Sequence, residues 1–160
     1  MPNWCKGDLK VRGTKENIKK FLLEGLQPIS KGFLNLEPVE TQIICDDDWE
    51  FKIKSETGAF YINGTRRNFI DNDIIETYIN EWEDEEGVIV LEDYKAAWGI
   101  ETEPLAAISE KFNIDFKILG FEQGMEFNQD VEIIKGKIIK DEEIEFYDYK
   151  WECIRPHIGG

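Results

Sequence analysis

Two adjoining stretches decide the fold that we expect: Lys6-Gly7-Asp8-Leu9-Lys10-Val11-Arg12-Gly13 and Thr14-Lys15-Glu16-Asn17-Ile18-Lys19-Lys20-Phe21-Leu22-Leu23. In the first, Leu9 and Val11 alternate with charged neighbours, which is the period-two pattern of a half-buried strand. In the second, Thr14 can cap a helix that places Ile18 and Phe21 on one apolar face. The sequence therefore predicts a strand followed directly by a helix.

The middle of the chain alternates short apolar runs with turn residues. These runs predict strands at 42–45, 49–53 and 59–62, separated by Asp- and Gly-rich turns. Asp71-Asn72-Asp73 is typical of a helix cap, so we expect a helix to continue from there through Trp82. A longer apolar run predicts a strand from Val88 to Trp98.

The C-terminal half predicts one helix and then a series of hairpins. Thr102 is a typical cap for a helix, and Gln123-Gly124 and Lys135-Gly136 are typical hairpin turns. The order of elements favours one α+β domain over residues 1–155. We expect an antiparallel sheet with two or three helices packed mainly on one face, extra C-terminal hairpins, and a flexible tail at 156–160.

The charge of the chain is strongly negative and unevenly spread. Thirty-four Asp and Glu against nineteen Lys and Arg give a net charge of −15, and residues 71–103 hold twelve acids and a single base. Such a surface repels nucleic acid and anionic membranes and attracts basic proteins, although it also serves simply to keep a protein soluble. We therefore expect a basic protein partner and neither direct nucleic-acid nor membrane binding. The candidate partner-binding residues are Glu81, Glu83, Asp84, Glu85 and Glu86.

Residues with catalytic or metal-binding chemistry are few. The three cysteines, Cys5, Cys45 and Cys153, form no CxxC pair, and His157 is the single histidine. Lys6 beside Cys5 could activate that thiol, but a structural role for Cys5 is the stronger interpretation. We predict no catalytic residue, no metal site and no cofactor. Apolar runs are too short to span a bilayer and no signal peptide is visible, so a cytoplasmic location is expected.

One stretch suggests kinship. Pro2-Asn3-Trp4-Cys5 before the strand at 9–13 resembles the opening of the YubB / Api-like ferredoxin-like proteins of phages and plasmids, and residues 95–136 are similar to their later half. The match covers residues 2–26 and 95–136, and the chain departs from it after Trp98, where a longer aromatic and proline stretch is expected. The resemblance implies a ferredoxin-like core without an iron–sulfur cluster and a mobile-element origin. It implies no activity.

These observations predict an acidic accessory protein, encoded by a phage or another mobile element, that acts by binding a protein. Its partner would be a basic host protein, with nucleic-acid mimicry or counter-defence as the consequence. A second interpretation is a metal-dependent enzyme with a carboxylate site, for which Asp46-Asp47-Asp48 beside Glu50 and Lys52 is the nearest pattern. A third is an accessory protein that self-associates through a sheet edge.

Overall fold

The computed structural model describes residues 2–29, 39–56, 58–78 and 85–160. The described part of the protein is built mostly from antiparallel sheet, with 49% of the described residues in strands and 18% in helices. It has an eight-stranded sheet and a separate three-stranded sheet. The predicted ferredoxin-like α+β fold, with two or three helices on one face and extra C-terminal hairpins, is therefore wrong.

Eleven strands and three α-helices form the described part of the chain. The strands are β1 Trp4–Gly13, β2 Leu26–Pro28, β3 Gln42–Asp46, β4 Glu50–Lys54, β5 Phe60–Ile62, β6 Asn68–Ile70, β7 Ile74–Tyr78, β8 Gly87–Ala97, β9 Asp115–Glu122, β10 Phe127–Ile134 and β11 Lys137–Glu145. The helices are α1 Lys15–Lys20, which continues as a π-helical turn Phe21–Gly25, α2 Thr102–Phe112 and α3 Tyr149–Glu152. The strand orders are β11-β10-β9-β1-β8-β6-β5-β2 and β3-β4-β7. None of the described helices is long and apolar enough to cross a lipid bilayer.

The predicted strand–helix unit is confirmed and lies at the centre of the large sheet. β1 pairs with β8 on one side and β9 on the other, antiparallel to both. Leu9 and Val11 are fully buried on one face of β1, as their alternation predicts. The Thr14 hydroxyl accepts a hydrogen bond from the Asn17 N–H and so caps α1.

One hydrophobic core joins α1, α2 and both sheets. Phe21 packs edge to face against Phe112 of α2 and Phe116 of β9, with ring centroids 5.7 and 5.5 Å apart. Phe51 and Ile53 of β4 belong to the same buried cluster. The three-stranded sheet, α1 and α2 therefore share a core with the large sheet.

The helix predicted after Asp71-Asn72-Asp73 is also wrong over the residues that the structure describes. The chain there forms β7, which pairs with β4, and its side chains are alternately exposed and buried. Ile75 and Thr77 lie on the buried side. Ile74 and Tyr78 are four residues apart, and this spacing fits both a helix and the two-residue period of a strand. The β-branched residues Ile74, Ile75 and Thr77 favour the strand.

The C-terminal region contains the expected hairpin and an unexpected helix. Lys135 and Gly136 both have positive φ, 45° and 83°, which is the backbone twist of a tight two-residue hairpin turn. After β11, in the region where the sequence predicts only hairpins and a tail, the residues Tyr149–Glu152 form α3. A flexible tail is predicted over 156–160, whereas in the structure the Gly160 N–H donates to the Trp4 carbonyl at 2.9 Å.

Candidate partner-binding surface

The acidic residues predicted to bind a partner precede β8 in the sequence. Three of them are outside the described residues: Glu81, Glu83 and Asp84. Glu85 and Glu86 are exposed. The Glu86 carboxylate accepts a hydrogen bond from Lys135 Nζ at 2.6 Å, and the same Nζ donates to the Asn113 carbonyl at 3.0 Å. Glu86 therefore helps to join the start of β8 to the β10–β11 turn.

A second acidic region lies near the C-terminal end of the chain. Residues 141–154, which we call the C-terminal segment, contain six acids and one base. They comprise the end of β11, helix α3 and the residues around that helix. This stretch also carries three large apolar side chains that are almost entirely exposed: Tyr147 at 102%, Trp151 at 86% and Ile154 at 83%. We call these three residues the apolar patch.

The other side of the C-terminal segment is anchored to the large sheet. Tyr149 and Cys153 are buried against Phe121 of β9. The Tyr149 hydroxyl donates to Asn128 Oδ1 of β10 at 3.1 Å, and both side chains are buried. The Phe146 ring packs edge to face on Tyr149 with centroids 5.4 Å apart. These inward contacts fix the segment on the sheet while the apolar patch stays exposed.

Acidic side chains fix the local conformation of α3. Asp148 caps the helix, with its carboxylate accepting from the Trp151 N–H at 3.4 Å. The Glu152 carboxylate accepts from the N–H groups of Tyr147 and Asp148 at 2.9 and 3.0 Å. These reciprocal bonds satisfy backbone donors that a short helix leaves unpaired. The backbone that carries Tyr147 and Trp151 is therefore held before any partner arrives, which lowers the entropy lost on binding.

The remaining candidates for chemistry have structural roles. Asp47 of the acidic triplet accepts from the N–H groups of Trp49 and Glu50, both at 2.8 Å, and so closes the β3–β4 turn. Hydrogen bonds from the backbone of Glu50 and Trp49 lower the pKa of the Asp47 carboxyl. His157 lines an open cleft of about 600 Å³ between the C-terminal tail and the strands β1 and β8, together with Lys6 and Arg155. Within the described ranges, no three His, Cys, Asp or Glu residues are grouped so that they could hold a metal ion.

Cys5 is inaccessible and protonated. Its side chain is completely buried, and burial together with the nearby Glu122 carboxylate raises the pKa of the thiol to about 12. A nucleophilic cysteine needs the opposite shift, toward a stable thiolate.

We therefore expect iodoacetamide at pH 7.5 to alkylate the partly exposed Cys45 well before the buried Cys5 and Cys153. Peptide mass mapping over a time course measures the three rates. Denatured protein, in which the three thiols are equally accessible, is the control. Faster labelling of Cys5 than of Cys45 in the native protein would revive a reactive role for Cys5.

The apolar patch was not identified from the sequence. Tyr149 and Trp151 are two residues apart, a spacing that fits one face of a strand. In α3, however, Tyr149 is buried and Trp151 is exposed. Asp148 as a helix cap was the signal that could have revealed the helix. The exposure of Tyr147 had no local signal, because it depends on how the segment lies on β9 and β10.

Comparison with known proteins adds no relative. Protein-family models, curated protein sequences and solved structures all fail to match the chain. The chemistry of the C-terminal segment therefore has to be interpreted from its own residues.

Proposed function

We propose that this protein is a binding module that captures a basic protein partner, with the apolar patch as its anchor. The observation that carries the proposal is the near-complete exposure of Tyr147, Trp151 and Ile154 on a segment fixed by buried contacts. Exposed apolar side chains that form a contiguous patch rimmed by polar residues are typical of interaction sites. Trp and Tyr are also the residues that most often dominate binding energy at protein interfaces.

The charge around the patch selects the kind of partner. The C-terminal segment carries six acids and one base. Glu86, which contacts the β10–β11 turn, lies at the opposite end of the large sheet. Acidic residues beside an apolar anchor accelerate association with a basic surface and reject acidic ones. A partner with an apolar pocket rimmed by Lys and Arg fits this chemistry best.

We extend this proposal to a basic partner that normally binds nucleic acid. An exposed row of carboxylates can occupy the cationic surface that otherwise contacts phosphates. For a protein of mobile-element origin, interference with a host nucleic-acid-binding protein is a fitting role.

The experiment is affinity capture from a bacterial lysate at low and high salt. Glu143→Lys combined with Glu145→Lys should reduce capture strongly, because it reverses charge beside the patch. Glu16→Lys combined with Asp48→Lys reverses the same number of exposed acids on α1 and the β3–β4 turn, and should leave capture unchanged. A third variant, with Glu81, Glu83 and Glu85 changed to Lys, tests the band before β8.

The salt series and a competitor complete the test. Capture should weaken as salt rises, since exposed charges are screened, and double-stranded DNA should displace a partner held by its nucleic-acid surface. Equal loss of capture in the control pair would show that net charge alone is responsible. Unchanged capture in all three variants would refute the acidic contribution.

A further inference from the structure

The large sheet ends on a long open strand. β11 has nine residues and is the terminal strand of the sheet order, with β10 as its neighbour. The opposite edge, β2, has three residues and ends in Pro28, so it offers little backbone for pairing. β11 also exposes Ile138, Ile139 and Ile144. An exposed strand of this length is a template for another strand.

The charges along β11 change sign near its middle. Lys137 and Lys140 lie in its first half, and four acids follow: Asp141, Glu142, Glu143 and Glu145. An antiparallel second copy brings the basic start of one strand beside the acidic end of the other. We propose that the chain forms a two-fold symmetric dimer in which β11 pairs antiparallel with β11 of a second copy, with the axis at Asp141.

The register follows from the charges. With the axis at Asp141, Lys140 stands opposite Glu142 of the second copy, and the symmetry repeats this pair. Lys140 and Glu142 lie on the same face of β11, because they pair with Glu132 and Asp130 on alternate positions of β10. An axis at Asp141 also opposes Lys137 to Glu145, whereas an axis at Lys140 opposes lysine to an acid only at Lys137 and Glu143, and an axis at Glu142 opposes no lysine of β11 to an acid. Opposite charges across a strand pair stabilise it and like charges destabilise it.

Two features limit the strength of this dimer. Asp141 meets its own copy at the axis, although its carboxylate is held within its own subunit by Thr102 Oγ1 and Gln129 Nε2, both at 2.8 Å. The β10–β11 ladder shifts register at Ile139, which has no opposite residue in β10. Regular pairing is therefore short, and we expect a dissociation constant on the order of 10–100 µM for so small an interface.

The test is sedimentation equilibrium of the full chain over a concentration series, without any partner. Wild type should show a monomer–dimer equilibrium. Lys140→Glu alone and Glu142→Lys alone should each weaken self-association by about tenfold or more, since each places like charges opposite one another twice. An equimolar mixture of the two variants should dimerise at least as well as wild type, because both cross-strand pairs become Lys opposite Glu.

Lys20→Glu is the matched control for the change in net charge, since Lys20 is exposed on α1. It should dimerise like wild type. Circular dichroism of each variant verifies that it is folded. A wild type that stays monomeric to millimolar concentration, or a mixture that self-associates no better than its components, overturns the proposal.

The proposal of a dimer goes beyond the proposed partner capture, and each proposal can be refuted without the other. Trp151→Ala lies outside β11 and should leave the sedimentation result unchanged while it reduces capture. Loss of capture with intact self-association would support both proposals. Loss of self-association in Trp151→Ala would instead assign the dimer contact to the apolar patch and overturn the β11 pairing.

Discussion

Phe21→Ala is expected to lower the free energy of unfolding by about 3–5 kcal/mol, the usual cost of removing a fully buried ring. Phe21 is completely buried, and its ring contacts Phe112 of α2 and Phe116 of β9. The substitution removes the side chain through which the first helix, the second helix and the sheet meet. Because a domain of this kind is stable by only about 5–15 kcal/mol, the variant should be close to unfolding at 37 °C.

Urea denaturation monitored by tryptophan fluorescence measures this change. Leu23→Ala is the matched control, since Leu23 lies two residues away in the same helical turn but is 37% exposed. We expect its cost to be at most about 1 kcal/mol. Similar losses for the two variants would mean that Phe21 does not join the helices to the sheet as the structure indicates.

Trp151→Ala is expected to have the largest effect on function. It should weaken binding of the captured partner by about thirtyfold or more, which is the effect of removing a central aromatic anchor. The same change should alter the free energy of unfolding by no more than about 0.5 kcal/mol, because the side chain is 86% exposed. Isothermal titration calorimetry with the purified partner, together with thermal unfolding, separates the two effects.

Trp49→Ala is the matched control for this prediction. Trp49 is 66% exposed and lies between β3 and β4 of the three-stranded sheet. In the sequence it is far from the C-terminal segment. It should leave partner affinity unchanged. An equal loss of affinity in Trp49→Ala and Trp151→Ala, or no loss in either, would remove the apolar patch from the binding site.

Local patterns predicted several elements correctly. The strand–helix unit at Leu9 and Thr14 and the hairpin turn at Lys135-Gly136 depend on neighbouring residues alone. The helix predicted over residues 74–78 was wrong because Ile74 and Tyr78, two apolar residues four positions apart, fit both a helix and a strand. Pairing with β4, a strand more than twenty residues earlier, decided between them.

The fold as a whole could not be predicted because it depends on contacts between distant residues. β1 pairs with β8 and β9. No pattern among neighbouring residues in the sequence indicates which strands will be adjacent in the sheet. The three-stranded sheet likewise forms only because β4 can bury Phe51 and Ile53 in the core shared with the helices. A resemblance over residues 2–26 and 95–136 contained no information about the strands between them.

The candidate site was predicted only in its general chemistry. Composition predicts an acidic, protein-binding surface, and the band at Glu81–Glu86 is prominent in the sequence because four of its acids are consecutive. The residues next to Trp151 and Tyr147 in the sequence do not indicate that these two side chains are exposed. Their exposure results from Tyr149 and Cys153 being buried against Phe121 on the opposite side of the segment.

Hydrogen–deuterium exchange of the protein, free and bound to its captured partner, tests the central claim most directly. If the apolar patch is the anchor, peptides spanning residues 146–155 should gain the largest protection on binding, and the three-stranded sheet should gain none. Protection confined to β3, β4 and β7, with residues 146–155 exchanging as fast as in the free protein, would contradict the account.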